Sequence, residues 1–463
     1  MVKNDYYLEY IEVIEELLCR YIYETDRINP NILLIDRCSI EKAVKNNIWT
    51  KIFHKYRDYY NLQRKNETSE SLIIEYIWIT DLLPLLPTSN EKYELFTKSP
   101  EASIYFEYLS KFADTIIIYC YNKRQLIYYL PLLNSLDEEA LVFVNFDIKS
   151  ISINNNKITV IEYEFYCEEY YFKNSFLARN FPKIYWFGNI FLEFVNVINP
   201  RCIVVLEGCH LEMETLSTIS KIIEIPCICI QQGWPSVMHT RFRNMTYDYF
   251  LTWGVEFNDL WKKYNSLPKF TSIGYLYSTI NDCTYKKNAI TFFLQGPFII
   301  INKQYFDELL EVAIALAFKF PDIPFLIKEH PEYRLDDVWL RKLSKYDNIS
   351  IVKDLCLSEV FGRSKISISI FSSIIMESLI HDTFPIVFEV SSVPYYPSDL
   401  EIKQLGLITN RDNILSKIER YLSMNQEELF HERLLKFRKK YFSNEGKDSV
   451  DSLMLIMNNI INN

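Results

Sequence analysis

The chain has 463 residues, of which 49% are hydrophobic and 16% aromatic, so it has enough apolar surface for the cores of two or three domains. Its formal net charge of −10 argues against a nucleic-acid-binding protein, since such proteins carry a basic face or stripe. The 10 cysteines include no CxxC pair, which is typical of reduced structural residues. The N-terminus lacks the apolar segment of a signal peptide, and the most apolar long window, 181–200, contains two charges. We therefore expect a cytoplasmic protein, with any membrane contact peripheral and at the inner face.

The first 112 residues differ in pattern from the rest, and we predict a mainly helical extension there. Residues 11–23 have apolar side chains at helical spacing. The polar stretch 61–70 is typical of a loop between helices.

From residue 113 onward, short β-rich runs alternate with helical stretches. The first series of predicted strands is 115–120, 140–144, 202–206, 227–230 and 249–251, with helices at 125–136 and 213–223. Pro131 is expected to kink or interrupt the first of these helices. The alternation predicts a parallel sheet with right-handed crossovers in a domain over 113–280.

A second series of the same kind follows the polar segment 281–288, which we interpret as a linker. Its predicted strands are 289–294, 325–328, 349–352, 366–370 and 385–388, with a helix at 305–320. We predict a second domain over 289–440 and a C-terminal helix over 441–463. The fold class is therefore α/β, with two tandem Rossmann-like doubly wound domains and a ligand cleft between them.

Two glycine turns stand at predicted strand ends, where open α/β sheets bind ligands. Gly233 lies in the stretch Gln231-Gln232-Gly233-Trp234-Pro235, directly after the apolar run 227–230. Gln295 and Gly296 follow the run 289–294, and this turn either brings backbone close to a ligand or merely ends a strand. The chain has only 9 glycines, roughly 2% against a usual ~7%, so each is expected to meet a backbone demand.

Two further polar clusters follow strands of the second series. Lys328 and His330 either contact a phosphate or leaving group or belong to a surface loop. Ser372 and Ser373 precede the apolar run 374–380, and they either mark an anion site at a helix N-terminus or are an ordinary N-cap. Glu377 either accepts hydrogen bonds from a ribose or is a solvated helix residue.

Taken in order, these pieces resemble bacterial surface-polysaccharide glycosyltransferases of the two-domain GT-B type. The resemblance covers residues 114–460. It is carried by Gln232-Gly233, the stretch from Tyr247 to Gly254, Ile273-Gly274, His330-Pro331, Ser372-Ser373 with Glu377, and the segment 436–442 that runs on to Gly446.

The resemblance implies transfer of a sugar from a nucleotide-activated donor to a hydroxyl of a capsule, lipopolysaccharide or related glycan. Sialyl- and Kdo-transferases and teichoic-acid glycerophosphotransferases show a similar pattern. His330, Ser372 and Ser373 would bind the donor nucleotide and its phosphates, and Glu377 its ribose. We expect CMP or UDP as the donor nucleotide, no cofactor, and a glycan or lipid-linked glycan as acceptor. A sugar-nucleotide epimerase, a glycerophosphotransferase and a non-catalytic glycan-assembly protein remain alternatives.

The reaction needs a general base for the acceptor hydroxyl. Many relatives have a histidine where this chain has Gln232, which cannot act as a base, so we look to Glu207, His210 and His239, with Glu212 beside them. Glu207 is favoured, because it stands where bacterial sialyltransferases have an acidic-glycine motif.

The sequence has no clustered metal ligands, and each of its basic features has two interpretations. No clustered ligands indicate a metal site. Arg241 and Arg243 either bind an acidic substrate or are ordinary loop charges. The basic, aromatic segment 433–441 either contacts a membrane surface or forms a solvated helix face.

Overall fold

The computed structural model describes most of the chain: residues 6–35, 38–89, 107–163, 182–206, 210–234, 240–276, 286–296, 303–330, 333–353, 355–370, 372–389, 408–423 and 427–462. The chain forms two compact units. The first comprises Met1–Gln232, Met238–Tyr277 and Lys447–Asn463, and the second Gly233–Val237 and Ser278–Gly446. The domain boundaries drawn from the sequence, at 112, 280, 289 and 440, stay predictions.

The N-terminal region is helical, as predicted. It contains α1 (Tyr7–Ile28), a small antiparallel pair of strands β1 (Leu34–Ile35) and β2 (Cys38–Ser39), α2 (Glu41–Lys65) and α3 (Glu70–Ile77). The loop predicted over 61–70 is wrong for its first half, because α2 continues through Lys65. The polar side chains there lie on a helix whose Tyr60 is fully buried and whose Arg64 pairs with Glu9 at 3.1 Å.

Seven parallel strands form the sheet of the first unit, in the order β5-β4-β3-β6-β7-β8-β9. They are β3 (Ile116–Cys120), β4 (Ala140–Val144), β5 (Ile158–Glu162), β6 (Cys202–Leu206), β7 (Cys227–Ile230), β8 (Tyr249–Thr252) and β9 (Lys269–Ser272). Every residue of β3, β4, β6 and β7 is buried, as expected of parallel strands covered on both faces. Because the chain runs outward from β3 on one side and from β6 on the other, the order of strands reverses between β3 and β6.

Six parallel strands form the sheet of the second unit, in the order β12-β11-β10-β13-β14-β15. They are β10 (Ala289–Phe293), β11 (Phe325–Lys328), β12 (Ile349–Val352), β13 (Ser364–Ser369), β14 (Phe384–Glu389) and β15 (Ile408–Asn410). Here the order of strands reverses between β10 and β13. Both sheets are therefore doubly wound, and the predicted α/β fold class is confirmed.

Helices connect the strands of both sheets. In the first unit they are α4 (Lys123–Ser135), α5 (Pro182–Ile198), α6 (Leu211–Ile222) and α7 (Val255–Lys262). In the second unit they are α8 (Lys303–Lys319), α9 (Asp337–Leu343), α10 (Leu357–Arg363), α11 (Ile374–Ile380), α12 (Ile414–Ser423) and α13 (Glu427–Tyr441). Pro131 lies inside α4 and does not end it. Among the described residues, none of the helices has the length and apolar character needed to span a bilayer.

The last helix, α14 (Lys447–Ile461), completes the core of the first unit. Its residues Val450, Leu453, Met457 and Ile460 recur at helical spacing and are buried in one cluster with Leu126 and other residues of α4 and the first sheet. The C-terminal helix is therefore part of the first unit, although the whole second sheet precedes it in sequence.

Two leucines of α14 provide a test of this packing. Leu453 is fully buried, whereas Leu455 is 63% exposed. We expect Leu453→Ala to lower the free energy of unfolding by about 2–5 kcal/mol, because it removes buried methyl groups and leaves a cavity. Leu455→Ala is the matched control and should leave chemical denaturation within about 0.5 kcal/mol of the wild type. Equal effects of the two substitutions would contradict the observed packing of α14.

Candidate functional site

The strands β3 and β6 end at the point where the first sheet reverses its strand order, which is where open α/β sheets bind ligands. Tyr121 directly follows β3, and His210 lies four residues beyond the end of β6. Their rings stack with centroids 4.0 Å apart and an interplanar angle of 21°. The structure thus brings the predicted His210 into contact with a residue that the sequence reading missed.

The environment of His210 keeps its imidazole neutral. Burial and, to a smaller extent, the nearby positive charge of Arg241 lower the pKa of His210 to about 4. At neutral pH the ring therefore carries a free lone pair that can accept a proton or a hydrogen bond. Glu207 and His239, the other two predicted bases, lie outside the described residues and stay predictions. Glu212 is 7% exposed, in the first turn of α6.

The turn after β7 is fixed by Gln231, which is fully buried. Its side-chain Oε1 accepts the backbone N–H of Trp253 at 2.9 Å, and its carbonyl oxygen accepts the Trp253 indole N–H at 3.1 Å. Its own N–H donates to the carbonyl of Leu251 at 2.9 Å. Gln231 is therefore a structural residue that holds the neighbouring Gln232 and Gly233 at the carboxyl edge of the sheet.

Amide side chains link the ends of β3 and β7. The Gln125 Nε2 donates to Gln232 Oε1 at 3.5 Å, and Gln125 Oε1 accepts the backbone N–H of Tyr121 at 2.8 Å. Asn122 caps α4 by accepting the backbone N–H of Gln125 at 2.9 Å. The position of Tyr121 and Asn122 after a predicted strand was the signal that could have identified this cluster from the sequence.

The two predicted glycines have different surroundings. A Cβ built on Gly233 meets no described atom within 4 Å. A Cβ on Gly296 would come within 2.4 Å of Tyr333 Cβ and 2.5 Å of its Cγ. The position of Tyr333 thus leaves no room for a Cβ at residue 296, whereas the packing of the described residues does not require glycine at 233.

The second sheet reverses its strand order between β10 and β13, and predicted donor-binding residues follow both strands. Gln295 and Gly296 follow β10, and Ser372 and Ser373 follow β13. Lys328 ends β11, the neighbour of β10, with His330 two residues beyond. These predicted residues therefore share the carboxyl edge of one sheet, around its reversal point.

The loop that carries His330 is held by its neighbours. Glu329 is 3% exposed, and its carboxylate accepts the Leu335 N–H at 2.8 Å and an Arg334 N–H at 3.1 Å. Lys328 donates to the carbonyl oxygens of Lys353 and Leu355, at 3.0 and 2.9 Å. The Lys328 ammonium thus ties β11 to the chain beyond β12, and Glu329, which sequence reasoning missed, fixes the loop around His330.

Ser372, Ser373 and Glu377 form a local network at the start of α11. Ser372 Oγ accepts the N–H of Ile374 at 3.3 Å, and Ser373 Oγ donates to Glu377 Oε1 at 3.2 Å. Glu377 is only 5% exposed, so the interpretation of this carboxylate as a solvated helix residue is wrong. All seven residues of α11 are buried, which the sequence of a short helix does not reveal.

Arg241 and Arg243 are engaged by the N-terminal helices. Arg243 is 9% exposed and forms two hydrogen bonds with the Glu12 carboxylate, at 2.8 and 2.6 Å. The Arg241 guanidinium lies 5.5 Å from the centre of the Trp49 ring. These contacts give both arginines a structural role that neither sequence interpretation included.

The segment 433–441 belongs to α13. Phe437 and Tyr441 are 5% and 1% exposed, so the aromatic side chains that a membrane contact would use are in the protein core. Lys436 and Lys439 are exposed, which fits a solvated helix face. No group of three or more His, Cys, Asp or Glu side chains in the described part of the chain is arranged to hold a metal ion.

No protein-family model matches the sequence, and no curated protein does so either. Solved structures are similar in fold. The glycotransferase of kitacinnamycin matches with a TM-score of 0.51 and 13% identity over 75% of this chain and 99% of that one. Arabidopsis thaliana UGT89C1, complexed with UDP-L-rhamnose, matches with a TM-score of 0.51 and 10% identity over 74% and 99%.

A variant of the wall teichoic acid polymerase TagF matches with a TM-score of 0.50 and 13% identity, over 78% of this chain and 93% of that one. At such low identity the likeness concerns the fold alone. Together with the two doubly wound sheets, it identifies the fold as the GT-B type, with a helical N-terminal region.

Two partly buried histidines make the His210 environment testable by NMR. We expect the His210 imidazole to titrate near pH 4, and His381 is the reference in the second unit, since burial and the charges of Lys287 and Arg438 also lower its pKa to about 4. His210→Gln should remove one of these two low-pH titrations and leave the other. A His210 signal that titrates at its usual value of 6.5 would contradict the described burial.

The same shift predicts a pH dependence of stability. Because the folded-state pKa of His210 lies below its usual value, its contribution is fully present above pH 6.5 and is lost as the pH falls through about 4. In urea denaturation the wild type should therefore lose more stability over this range than His210→Gln. Parallel stability profiles of the wild type and His210→Gln would contradict the lowered pKa of His210.

Replacement of each of the two glycines by alanine should show by its effect on stability whether packing requires glycine there. Gly296→Ala is expected to lower the free energy of unfolding by about 1–3 kcal/mol, because the new Cβ forces Tyr333 to move. Gly233→Ala should leave stability within about 0.5 kcal/mol of the wild type, since its Cβ enters open space. Thermal and urea denaturation measure both, and a marked destabilisation by Gly233→Ala would contradict the described surroundings.

Proposed function

We propose that the protein is a glycosyltransferase that moves a sugar from a nucleotide-activated donor to a hydroxyl of a surface glycan, such as capsule or lipopolysaccharide. The observation that carries the proposal is that both sheets collect polar side chains at the edge where their strand order reverses. The first edge has a neutral imidazole, and the second has hydroxyl, imidazole and carboxylate groups. The UDP-L-rhamnose complex among the similar structures supports a nucleotide-linked donor.

We place the donor at the edge of the second sheet. There the backbone at Gln295 and Gly296 approaches the ligand, and His330 with Ser372 and Ser373 donates hydrogen bonds to the phosphates. Glu377 accepts hydrogen bonds from the ribose, beside the one that its Oε1 accepts from Ser373. Lys328 adds positive charge near the phosphates, although its ammonium is also bound to two carbonyls. The nucleotide we expect is CMP or UDP.

The acceptor hydroxyl is activated at the edge of the first sheet. As its oxygen attacks the anomeric carbon, the bond from that carbon to the donor phosphate breaks, and the hydroxyl proton passes to His210. His330 stabilises the negative charge that develops on the departing nucleotide. A pKa of about 4 gives His210 the basicity of an ordinary carboxylate, ~4.3 for glutamate. Glu207 remains the alternative base.

The experiment that tests the proposal has two stages. A thermal-shift screen with CMP-, UDP-, GDP- and CDP-linked compounds should find a donor that raises the melting temperature, because it binds only the native state. With that donor and a glycan acceptor, the protein should release free nucleotide. Turnover without an acceptor would indicate an epimerase, release from CDP-glycerol a glycerophosphotransferase, and binding without any turnover a non-catalytic protein. Each of these three results would overturn the proposed transferase.

Two substitutions separate the roles of the two edges. His330→Ala should weaken donor affinity about tenfold to a hundredfold, because a hydrogen bond to a charged phosphate contributes about 1.5–3 kcal/mol. His210→Gln should keep donor affinity within about twofold and lower kcat by about 10²–10⁴-fold, as expected for the loss of a general base. If Glu207→Gln alone abolished turnover and His210→Gln did not, the base would be Glu207.

A further inference from the structure

The helices α1 and α2 hold a short segment that lies about 200 residues later in the chain. Lys42 of α2 is only 9% exposed, and its ammonium donates to the carbonyl oxygens of both Thr240 and Arg243. Those two carbonyls belong to the ends of one short turn that includes a 3-10 helix, Thr240–Phe242. One side chain of the N-terminal region thus binds both ends of this turn.

Three more contacts join the same two helices to the same turn. Glu15 accepts the Thr240 hydroxyl at 2.6 Å. Glu12 accepts both Arg243 hydrogen bonds, and Trp49 lies under Arg241. Thr240, Arg241 and Arg243 are therefore each contacted by a side chain of α1 or α2.

The turn is the far end of the connection that leaves the first sheet after β7. At its near end, Gln231 is fixed by Leu251 and Trp253, and it holds Gln232 and Gly233 at the carboxyl edge. Only five residues separate Trp234 from Thr240. The sheet thus fixes one end of this connection, and the N-terminal helices fix the other.

Burial of the Lys42 ammonium is unfavourable for the stability of the protein, and a simple attachment of the N-terminal helices would not need it. Removing an ammonium from water is unfavourable unless hydrogen bonds replace its hydration, and the two backbone carbonyls of the turn replace it here. An ammonium that binds two backbone carbonyls specifies one position of the turn, which an apolar contact does not. The arrangement therefore favours a role in geometry over a role in stability.

We propose that Lys42 is a positioning residue, through which the N-terminal helices fix the Thr240–Arg243 turn and, with it, the charge of Arg241 near His210. This inference rests on the proposed glycosyltransferase function for its catalytic consequence. In this proposal the N-terminal helices contribute to catalysis and are not an independent module.

The test compares Lys42→Met with two controls. Lys55→Met removes another ammonium of α2, one that pairs with Asp81 within the N-terminal region. Leu453→Ala weakens the same unit without touching the turn. Hydrogen–deuterium exchange of the amides at 240–243 and steady-state kinetics are measured for all three.

For Lys42→Met we expect exchange at 240–243 to be at least about tenfold faster, since the turn opens locally. We expect kcat to fall about 10²-fold, as for a misplacement of about 1 Å, with donor Kd within about twofold of the wild type. Both controls should keep wild-type exchange at 240–243 and wild-type kcat. The milder double variant Glu12→Gln with Glu15→Gln should change exchange and kcat in the same direction, and it serves as the test if Lys42→Met does not fold.

Unchanged exchange at 240–243, or unchanged kcat with faster exchange, would overturn the positioning role. An equal fall of kcat in Leu453→Ala would overturn it too, because the effect would then follow stability alone. Hydrogen–deuterium exchange is measured without substrate. A wild-type protein that turns over no donor would therefore refute the proposed function, whereas exchange at 240–243 would still test the contacts of Lys42.

Discussion

The double-sided burial of both parallel sheets is the constraint on which the rest of the structure depends. The central strands β3, β4, β6 and β7 have no exposed residue, so their faces can carry only side chains that pack. Polar groups that meet a ligand are therefore restricted to the ends of the strands. Tyr121, His210 and Gln232 lie at such ends in the first sheet, as do Gln295 and Ser372 in the second.

The same burial explains how much of the fold the sequence could predict. Strands β4, β6, β7 and β11 were predicted at their observed bounds, since strands inside such sheets are continuous apolar runs between polar segments. The edge strand β12 was also predicted at its observed bounds. The missed strands β5, β9 and β15 are edge strands, and the residues of β9 are all at least partly exposed. An edge strand needs no continuous apolar run, so its pattern differs little from that of a loop. The extent of α2 was missed for the related reason that its last turns are polar.

The site was less predictable than the fold, because strand ends are visible in a sequence and tertiary contacts are not. The strand-end rule found His210 and the residues around β10 and β13. It did not find Glu329, whose partners Arg334 and Leu335 are defined only by the fold of the loop. Nor could it assign Arg243, whose partner Glu12 lies 231 residues away. Residues with partners distant in sequence carry no local pattern from which their role can be read.

The return of α14 to the first unit has a consequence for how the protein is made. Until the ribosome has added residues 447–461, the core of the first unit lacks Val450, Leu453, Met457 and Ile460. Most of the first unit is synthesised before the second sheet, and its apolar surface therefore stays uncovered while the second sheet is synthesised. A nascent chain in this state is a natural substrate for chaperones, and premature termination anywhere before α14 yields a protein whose earliest-made unit is the incomplete one.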